Sequence, residues 1–235
     1  MIGMEAEGIR ENIERIRGEI AAAAQRSGRS PSAVALVAIT KTVPAPLIAE
    51  AVKLGVTEVG ENRVQEAKGK MPLLPSNLAW HMVGRLQTNK AKEAARLFSL
   101  IHSLDREELA AALNRAGEAA GKPVNVLVQV SLTGAPQQGG VPAAKVTEFI
   151  EKSASLRYVH ILGLMALGPW PAGEAEIRQA YRSARELFDR VAPVAGEGFG
   201  ILSLGMSGDF MVAVEEGSTL VRIGTAIFGE RRRDA

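Results

Sequence analysis

The sequence predicts an α/β protein: a single closed (β/α)8 barrel, the TIM-barrel fold, with an extra N-terminal helix. Eight apolar segments of strand length alternate with helical segments at roughly 25 to 30 residues per unit, as in such barrels. No linker or low-complexity tract divides the chain, so we expect one domain over residues 1–235. An open doubly wound sheet is the alternative, but it usually has a glycine-rich turn after its first strand, where this chain has Lys41-Thr42-Val43-Pro44.

The first predicted strand is the apolar run Val34–Lys41, which ends in a lysine. Its small and β-branched residues, bounded by Ser30-Pro31-Ser32 and Pro44, are typical of a parallel strand that is buried on both faces. Isoleucines at helical spacing predict an amphipathic helix before it, over residues 4–27 and ended by Gly28. These isoleucines are Ile9, Ile13, Ile16 and Ile20.

The other units repeat this pattern. Strands two to eight are predicted at Thr57–Gly60, Leu78–Gly84, Phe98–Ser103, Val124–Leu132, Tyr158–Met165, Gly200–Met206 and Thr219–Gly224. The helices between them are predicted at 44–54, 61–70, 88–97, 105–121, from Pro142 onward, at 177–191 and at 209–216. The helix from Ile177 to Val191 has the clearest period, because its apolar residues share one face. Proline at helix starts and glycine just after helix ends, as at Pro142 and Gly121, support these boundaries.

Composition and charge limit the classes of function. Hydrophobic content of 46% with 23% charged residues indicates a globular protein, and a net charge of +2 without a basic face argues against nucleic-acid binding. Arg231-Arg232-Arg233 is expected to be a solvated tail. The absence of cysteine excludes disulfides, thiolate metal sites and cysteine nucleophiles. No stretch approaches the roughly 20 apolar residues that span a bilayer, and none resembles a signal peptide, so we expect a cytoplasmic protein without membrane contact. No heptad or apolar surface stripe predicts an oligomer, so a monomer is expected.

In a barrel the carboxyl ends of all strands meet at one mouth, where ligands bind. The residues predicted to follow the strands there are Lys41, Glu61, Asn62, His81, Gly84, Met165, Ser207, Arg222, Gly224 and Thr225. Lys41 is the most informative, because burial lowers the pKa of a lysine toward that of a reactive neutral amine. The alternative is a solvated lysine at the start of a loop.

Two loops predict a phosphate site. Met206-Ser207-Gly208-Asp209 and Gly224-Thr225-Ala226 each place a hydroxyl and a glycine at a helix start, after strands seven and eight, where barrels often hold phosphate. Ordinary helix caps are the alternative for either loop alone. A phosphate site opposite a buried lysine predicts a phosphorylated aldehyde held as a Schiff base, of which pyridoxal phosphate is the commonest. The competing interpretation is a sugar-phosphate isomerase or aldolase that uses Lys41 without a cofactor and Glu61 as its base.

The histidines predict little metal chemistry. His81, His102 and His160 are far apart in the sequence and lack the paired spacing of metal ligands. We therefore expect no metal site, and we interpret His81 as a hydrogen-bonding residue of the pocket. No Gly-x-Ser-x-Gly motif supports a serine hydrolase.

Six segments resemble motifs of the pyridoxal phosphate homeostasis protein family, in one order and over nearly the whole chain. They are Ala38–Thr42, Gly60–Glu66, Trp80–Lys90, Gly163–Met165, Ser203–Asp209 and Gly217–Gly229. The resemblance implies a single-domain barrel similar to the N-terminal domain of bacterial alanine racemase. It also implies that Lys41 forms the internal aldimine with pyridoxal 5'-phosphate and that Arg222 lies near the pyridine nitrogen. The implied phosphate-binding residues are Ser207, Gly224 and Thr225, and the implied lining residues are Asn62, His81 and Met165.

The function implied by the resemblance is intracellular vitamin B6 homeostasis. The protein would act as a buffer or carrier of pyridoxal 5'-phosphate, with pyridoxal-phosphate-dependent apo-enzymes as partners and with little or no catalysis of its own. Arg222 cannot give up its proton, so the pyridine nitrogen beside it would stay largely unprotonated and the ring would be a weak electron sink. The second base of alanine racemase comes from another domain, which is not expected here, and Tyr158 and Tyr181 are poor substitutes. The alternative is a pyridoxal-dependent amino-acid racemase or lyase of narrow specificity.

The loop after strand five departs from the family pattern. Members usually carry an asparagine, an acidic residue and a lysine there, whereas residues 131–140 of this chain read Ser-Leu-Thr-Gly-Ala-Pro-Gln-Gln-Gly-Gly. Contacts that depend on those charges are therefore not carried over to this chain. The cofactor-binding residues named above are unaffected.

Overall fold

The computed structural model describes residues 2–132, 134 and 139–230. The triple-arginine tail at 231–233 and most of the unusual loop segment 133–138 lie outside the described residues, so the expectations for them stay predictions. Within the described residues the chain forms nine strands and nine α-helices that alternate along most of its length.

Eight of the nine described strands close into a parallel barrel. The strands are β1 Ala35–Ile39, β2 Glu58–Glu61, β3 Ala79–Met82, β4 Leu100–Leu104, β5 Val124–Ser131, β6 Val141–Pro142, β7 Val159–Ala166, β8 Ile201–Ser203 and β9 Leu220–Ile223. The barrel order is β1 to β5, then β7, β8 and β9, and β9 pairs with β1 to close it. The two-residue β6 pairs with the end of β5 and is not part of the ring. The predicted (β/α)8 barrel is thus confirmed.

Helices cover the outside of the barrel. They are α1 Ile2–Arg26, α2 Ala45–Lys53, α3 Val64–Lys70, α4 Ala91–Leu97, α5 Glu107–Ala120, α6 Val146–Ser153, α7 Glu174–Ala195, α8 Phe210–Glu215 and α9 Thr225–Phe228. The predicted elements did not include β6 or α9, since two to four residues are too few to show a period. The predicted helix 61–70 begins only at Val64, because Glu61 is the last residue of β2. In the described part of the chain, no helix is long and apolar enough to cross a membrane.

Side chains alternate along the strands between the barrel interior and the helical layer. The interior holds a small apolar cluster: Val37, Ile39, Leu100, Leu127, Met165 and Leu220. Gly60 faces the same space, because a Cβ at this position would lie 2.6 Å from the Cδ1 of Ile39. Lys41 has the inward alternation of Ile39 and therefore lies on the side of the mouth.

The N-terminal helix α1 covers the barrel. Its predicted isoleucine face is buried. Polar side chains at the edges of this face reach neighbouring elements: Asn12 donates to the carbonyl oxygen of Ile227 over 3.0 Å, and Arg17 donates to the carbonyl oxygens of Leu54 and Gly55. The helix therefore joins the first and last units of the barrel.

Candidate functional site

Lys41 lies just past the carboxyl end of β1, as predicted. Its side chain is half-buried and lines a small cleft together with the loop that follows β9. The other residues lining this cleft are Ile39, Val43, Gly224, Thr225, Phe228 and Gly229. The fold thus brings together three of the predicted site residues that are far apart in the sequence.

A buried ion pair holds the turn that carries Lys41. The ammonium group of Lys70, on α3, donates to the carbonyl oxygen of Thr40 over 2.7 Å and to Oε1 of Glu61 over 2.8 Å. The hydroxyl of Thr40 donates to the same carboxylate over 2.7 Å. The residue before Lys41 is therefore fixed through both its backbone and its side chain.

The residue after Lys41 is fixed from the same cluster. Thr42 has a φ of +64°, a left-handed conformation that is uncommon for residues other than glycine. Its N–H donates to Oε1 of Glu66, which also accepts from Lys70 over 2.6 Å. Burial acts to raise the pKa of Glu66, but the hydrogen bonds from Lys70 and Thr42 outweigh it and lower the pKa. We infer that this carboxylate stabilises the strained turn.

Glu61 does not face the mouth. A side chain at position 60 would point into the barrel. The next side chain, that of Glu61, therefore points to the opposite side of β2, toward α3, where it is fully buried. Burial raises its pKa, and the hydrogen bonds from Lys70 and Thr40 offset only part of that rise. Its Oε2 has no hydrogen-bond partner in the described part of the protein. The carboxylate base that a sugar-phosphate enzyme would need is therefore absent from the place where that interpretation put it.

The two predicted phosphate loops meet. The hydroxyl oxygen of Ser207, after β8, accepts hydrogen bonds of 3.3 Å from the N–H groups of Gly224 and Ala226, after β9. Gly205 precedes this loop with a φ of +89°, which a residue with a Cβ rarely adopts. The backbone N–H groups of Gly224 and Ala226 and the hydroxyl of Ser207 therefore lie close together beside the cleft of Lys41.

Asp209 and Tyr181 stabilise the loop after β8, which contains Ser207. Asp209 accepts from the N–H of Met206 through Oδ1 and from the hydroxyl of Tyr181 through Oδ2, over 2.5 and 2.7 Å. Tyr181 is fully buried on α7, in agreement with its predicted place on an apolar helix face. Burial and the neighbouring carboxylate raise its pKa. The contact between its hydroxyl and the loop was not predicted.

Arg222 lies inside the barrel on β9, with 5% of its surface exposed. Its Nη1 donates to the carbonyl oxygen and to Oγ of Ser203, over 2.8 and 2.6 Å, and its Nη2 donates to the carbonyl oxygen of Ala166 over 3.0 Å. Burial lowers its pKa, but a guanidinium keeps its proton in proteins. The group is therefore a fixed positive charge at the ends of β7 and β8.

Two histidines interact in the interior, which the sequence analysis missed. Nδ1 of His81 lies 3.0 Å from Nε2 of His102, and Nδ1 of His102 lies 3.2 Å from Oγ of Ser203. Burial lowers the pKa of His81 to about 4 and that of His102 well below its usual value, so both rings are neutral at pH 7. The register of the strands explains the contact: His81 pairs with Leu100, so His102 lies two residues further along the inward face of the next strand. Among the described residues, no group of three acidic or histidine side chains could hold a metal ion.

The two remaining predicted site residues are Met165, which lies in the barrel interior, and Asn62, which lies just after β2. Met165 is buried in the inner cluster with Ile39. Asn62 follows β2, and its backbone lies so close to Gly84 that a Cβ there would be 2.5 Å from the carbonyl oxygen of Asn62. Gly84 thus permits the close approach of two loops at the mouth. The ligand contacts expected for Asn62, His81 and Met165 stay predictions.

Comparison with known proteins gives a consistent result. The profile of the family described as "Alanine racemase, N-terminal domain" matches residues 9–232. A pyridoxal phosphate homeostasis protein of Aquifex aeolicus is 40% identical over 223 residues, covering 94% of this chain and 98% of the relative. A protein of the same name from Escherichia coli is 39% identical over 229 residues, covering 95% and 97%.

Solved structures share the fold. The structure of PipY from Synechococcus elongatus, described as having PLP bound, superposes with a TM-score of 0.81 at 35% identity and covers 94% of this chain and all of that one, 100%. An alanine racemase from Streptomyces coelicolor superposes with a TM-score of 0.71 at 18% identity, covering 96% of this chain and 59% of the racemase. At that identity the second similarity concerns the fold alone.

Proposed function

The chain belongs to the pyridoxal phosphate homeostasis protein family, whose barrel is that of the alanine racemase N-terminal domain, and we propose that it binds pyridoxal 5'-phosphate in intracellular vitamin B6 homeostasis. The observation that supports this most strongly is the cleft that Lys41 shares with Gly224 and Thr225. It places an amine beside a loop suited to phosphate.

The residues of the site fit this cofactor. Lys41 would hold the cofactor through a Schiff base between its amine and the aldehyde carbon, with the loss of one water. Ser207, Gly224 and Thr225 hold the phosphate through hydroxyls and backbone N–H groups, and a side chain at Gly224 would come within 3.3 Å of Ile39. A glycine there keeps the backbone accessible.

The remaining contacts follow from the barrel interior. We propose that Arg222 faces the pyridine nitrogen, which a guanidinium can approach only as a donor. Met165 and Asn62 line the ring, and His81 contributes from the interior of β3. When bound, pyridoxal phosphate supplies an aldehyde that can exchange between amines.

Two features support a carrier with little catalysis of its own. The guanidinium of Arg222 keeps its protons, so it cannot protonate the ring nitrogen and strengthen the ring as an electron sink. Tyr181 is buried and donates to Asp209, and its raised pKa keeps it a proton donor rather than a base. We further propose that the protein acts as a cytoplasmic monomer and delivers its cofactor to pyridoxal-phosphate-dependent apo-enzymes.

A transfer experiment tests the proposal. The protein is loaded with pyridoxal 5'-phosphate, freed of unbound cofactor and mixed with an apo-enzyme that needs it, and the recovery of enzyme activity is followed. We expect recovery with wild type and none with the Lys41→Ala variant treated in the same way. Rapid racemisation of alanine or another amino acid by the purified protein would instead support an amino-acid racemase or lyase of narrow specificity.

A further inference from the structure

Five side chains form a continuous polar path through the barrel interior. In order they are Arg222, Ser203, His102, His81 and Glu58. The first three contacts are hydrogen bonds of 2.6 Å, 3.2 Å and 3.0 Å. The last is a polar contact of 3.5 Å between Nε2 of His81 and Oε2 of Glu58, and it is not a hydrogen bond. Arg222 also contacts the carboxyl end of β7, whereas Glu58 is the first residue of β2. The path therefore runs from the mouth to the opposite end of the barrel.

The guanidinium end of the path fixes the direction of its hydrogen bonds, because a guanidinium only donates. Since Arg222 donates to Ser203, the hydroxyl proton of Ser203 is directed to Nδ1 of His102, whose own proton must then lie on Nε2. That proton is donated to Nδ1 of His81, which leaves the His81 proton on Nε2, facing the carboxylate of Glu58.

The reverse assignment is less favourable. If His102 carried its proton on Nδ1, the hydroxyl of Ser203 would accept from both neighbours and its own proton would lack a partner on this path. The bare Nε2 of His81 would then lie 3.5 Å from Oε2 of Glu58, so two acceptor atoms would face each other. The first direction is therefore favoured, because it gives the hydroxyl proton of Ser203 an acceptor on the path.

We propose that Ser203, His102 and His81 are positioning residues that hold the guanidinium of Arg222 in its orientation toward the cofactor. This inference rests on the proposed function in one respect, that Arg222 faces the bound ring. Oγ of Ser203 is a directed acceptor for Arg222 only while its proton is engaged by His102. Without the imidazole acceptor, the hydroxyl proton of Ser203 is no longer directed away from Arg222. The geometry of this contact, one of the three that Arg222 makes, is then no longer fixed.

The far end of the path lies near solvent. Glu58 lines a cavity of about 310 Å³ between α1 and the amino-terminal ends of the first two strands, and 30% of its side chain is exposed. Arg17 lines the same cavity. Glu58 is therefore the end of the path that is accessible from outside the barrel.

The first test uses the protein without cofactor. Long-range proton–nitrogen NMR of the imidazole rings at pH 7 reports which nitrogen of each histidine is protonated. The chain has 3 histidines, so His81→Gln and His102→Gln variants assign the two buried rings, and exposed His160 is the reference for a ring in water. We expect a proton on Nε2 in both His81 and His102. A proton on Nδ1 of either ring overturns the proposed direction.

The second test compares substitutions on β4. His102→Phe keeps the ring volume but removes the acceptor, whereas Ser103→Ala changes the neighbouring residue, whose hydroxyl has no hydrogen-bond partner within the described residues. We expect His102→Phe to weaken pyridoxal phosphate binding about tenfold, as the loss of one buried hydrogen bond to a charged group predicts. We also expect it to shift the absorption band, while Ser103→Ala changes neither.

The outcomes separate the two proposals. If wild type does not bind the cofactor, the proposed function fails, and the NMR measurement still decides the direction of the path. If wild type binds and a folded His102→Phe variant has the same affinity and the same absorption band, the positioning role fails alone. Glu58→Gln removes the charge at the far end, and a band shift in that variant supports the path along its whole length.

Discussion

Lys70 donates a hydrogen bond to the carbonyl oxygen of Thr40, 2.7 Å away, directly before Lys41. The lysine proposed to react is thus held in place by a second lysine, 29 positions further along the sequence. The second lysine is neutralised by Glu61 and Glu66, so it serves as a structural cation. The geometry of the Lys41 turn therefore depends on α3 as well as on β1.

Replacing Lys70 by methionine is expected to destabilise the protein by about 3 kcal/mol, because it leaves a buried carboxylate without its cation. Lys68→Met is the matched control on the same helix: its partner is Glu93, its side chain is 60% exposed, and an exposed ion pair contributes only about 0.5 kcal/mol. Urea unfolding measures both. Adding Glu61→Gln to Lys70→Met should recover part of the loss, and equal losses in the two single variants would contradict this account.

Two glycines are expected to respond to alanine in opposite directions. Gly205 has a φ of +89°, and a Cβ there would lie 2.7 Å from the Cβ of Ala213, so Gly205→Ala should destabilise the protein by about 3 kcal/mol. Gly18 is exposed within α1 with no atom near a new Cβ, so Gly18→Ala should stabilise it by about 0.5 to 1 kcal/mol. Thermal unfolding distinguishes the signs. A tolerated Gly205→Ala would mean that the phosphate loop is more adaptable than its backbone indicates.

The buried histidines predict a loss of stability in mild acid. Burial lowers the pKa of His81 to about 4, whereas a histidine in the unfolded chain has a pKa near 6.5. Between these two pH values the unfolded chain binds a proton at this histidine and the folded protein does not, so acid favours unfolding. The contribution of His81 to the free energy of unfolding is complete above pH 6.5 and is lost as the pH falls toward 4. At pH 5 the buried neutral ring of His81 reduces the free energy of unfolding by about 2 kcal/mol. Glu58 and Glu61, whose pKa values burial raises, act in the opposite direction.

The measurement is the free energy of unfolding at pH 7 and pH 5 for wild type and His81→Gln. The variant should lose less stability than wild type over this interval, because glutamine does not take up a proton. His160→Gln is the control at an exposed position and should change like wild type. A His81→Gln variant that loses as much stability as wild type would show that His81 is not buried as a neutral ring.

Ser207→Ala tests the junction of the two phosphate loops. The substitution removes the oxygen that accepts from Gly224 and Ala226, so we expect pyridoxal phosphate to bind about tenfold more weakly while the stability changes by less than about 1 kcal/mol. Ser155→Ala, at an exposed position after α6, is the control and should bind as wild type does. Cofactor titration followed by absorption measures both affinities. Unchanged binding by Ser207→Ala would exclude this hydroxyl from the site.

Much of the fold follows from the sequence, because strand and helix periods are local. The apolar run that ends in Lys41 and the glycine and hydroxyl pairs of the last two loops are visible without coordinates, and a barrel brings all strand ends to one mouth. The convergence of Ser207 with Gly224 follows from the same rule.

Contacts that depend on strand register or on which face a residue occupies could not be predicted. Glu61 was predicted to follow the second strand, whereas it is the last residue of β2, and the alternation of side chains along the strand directs it to α3, where it contacts Lys70. His81 and His102 are 21 positions apart, and only the pairing of β3 with β4 makes them neighbours. Sequence spacing alone therefore suggested isolated histidines where the fold contains a hydrogen-bonded pair.

The central claim is that Lys41 holds pyridoxal 5'-phosphate as a Schiff base. The most direct test is the near-visible absorption of wild type and Lys41→Ala after incubation with the cofactor, followed by borohydride reduction and peptide mass spectrometry. We predict an absorbing wild type in which reduction attaches the cofactor to Lys41, and a variant that lacks this band and this attachment. A wild type that stays colourless, or one in which reduction labels another lysine such as Lys70 instead, would contradict the claim.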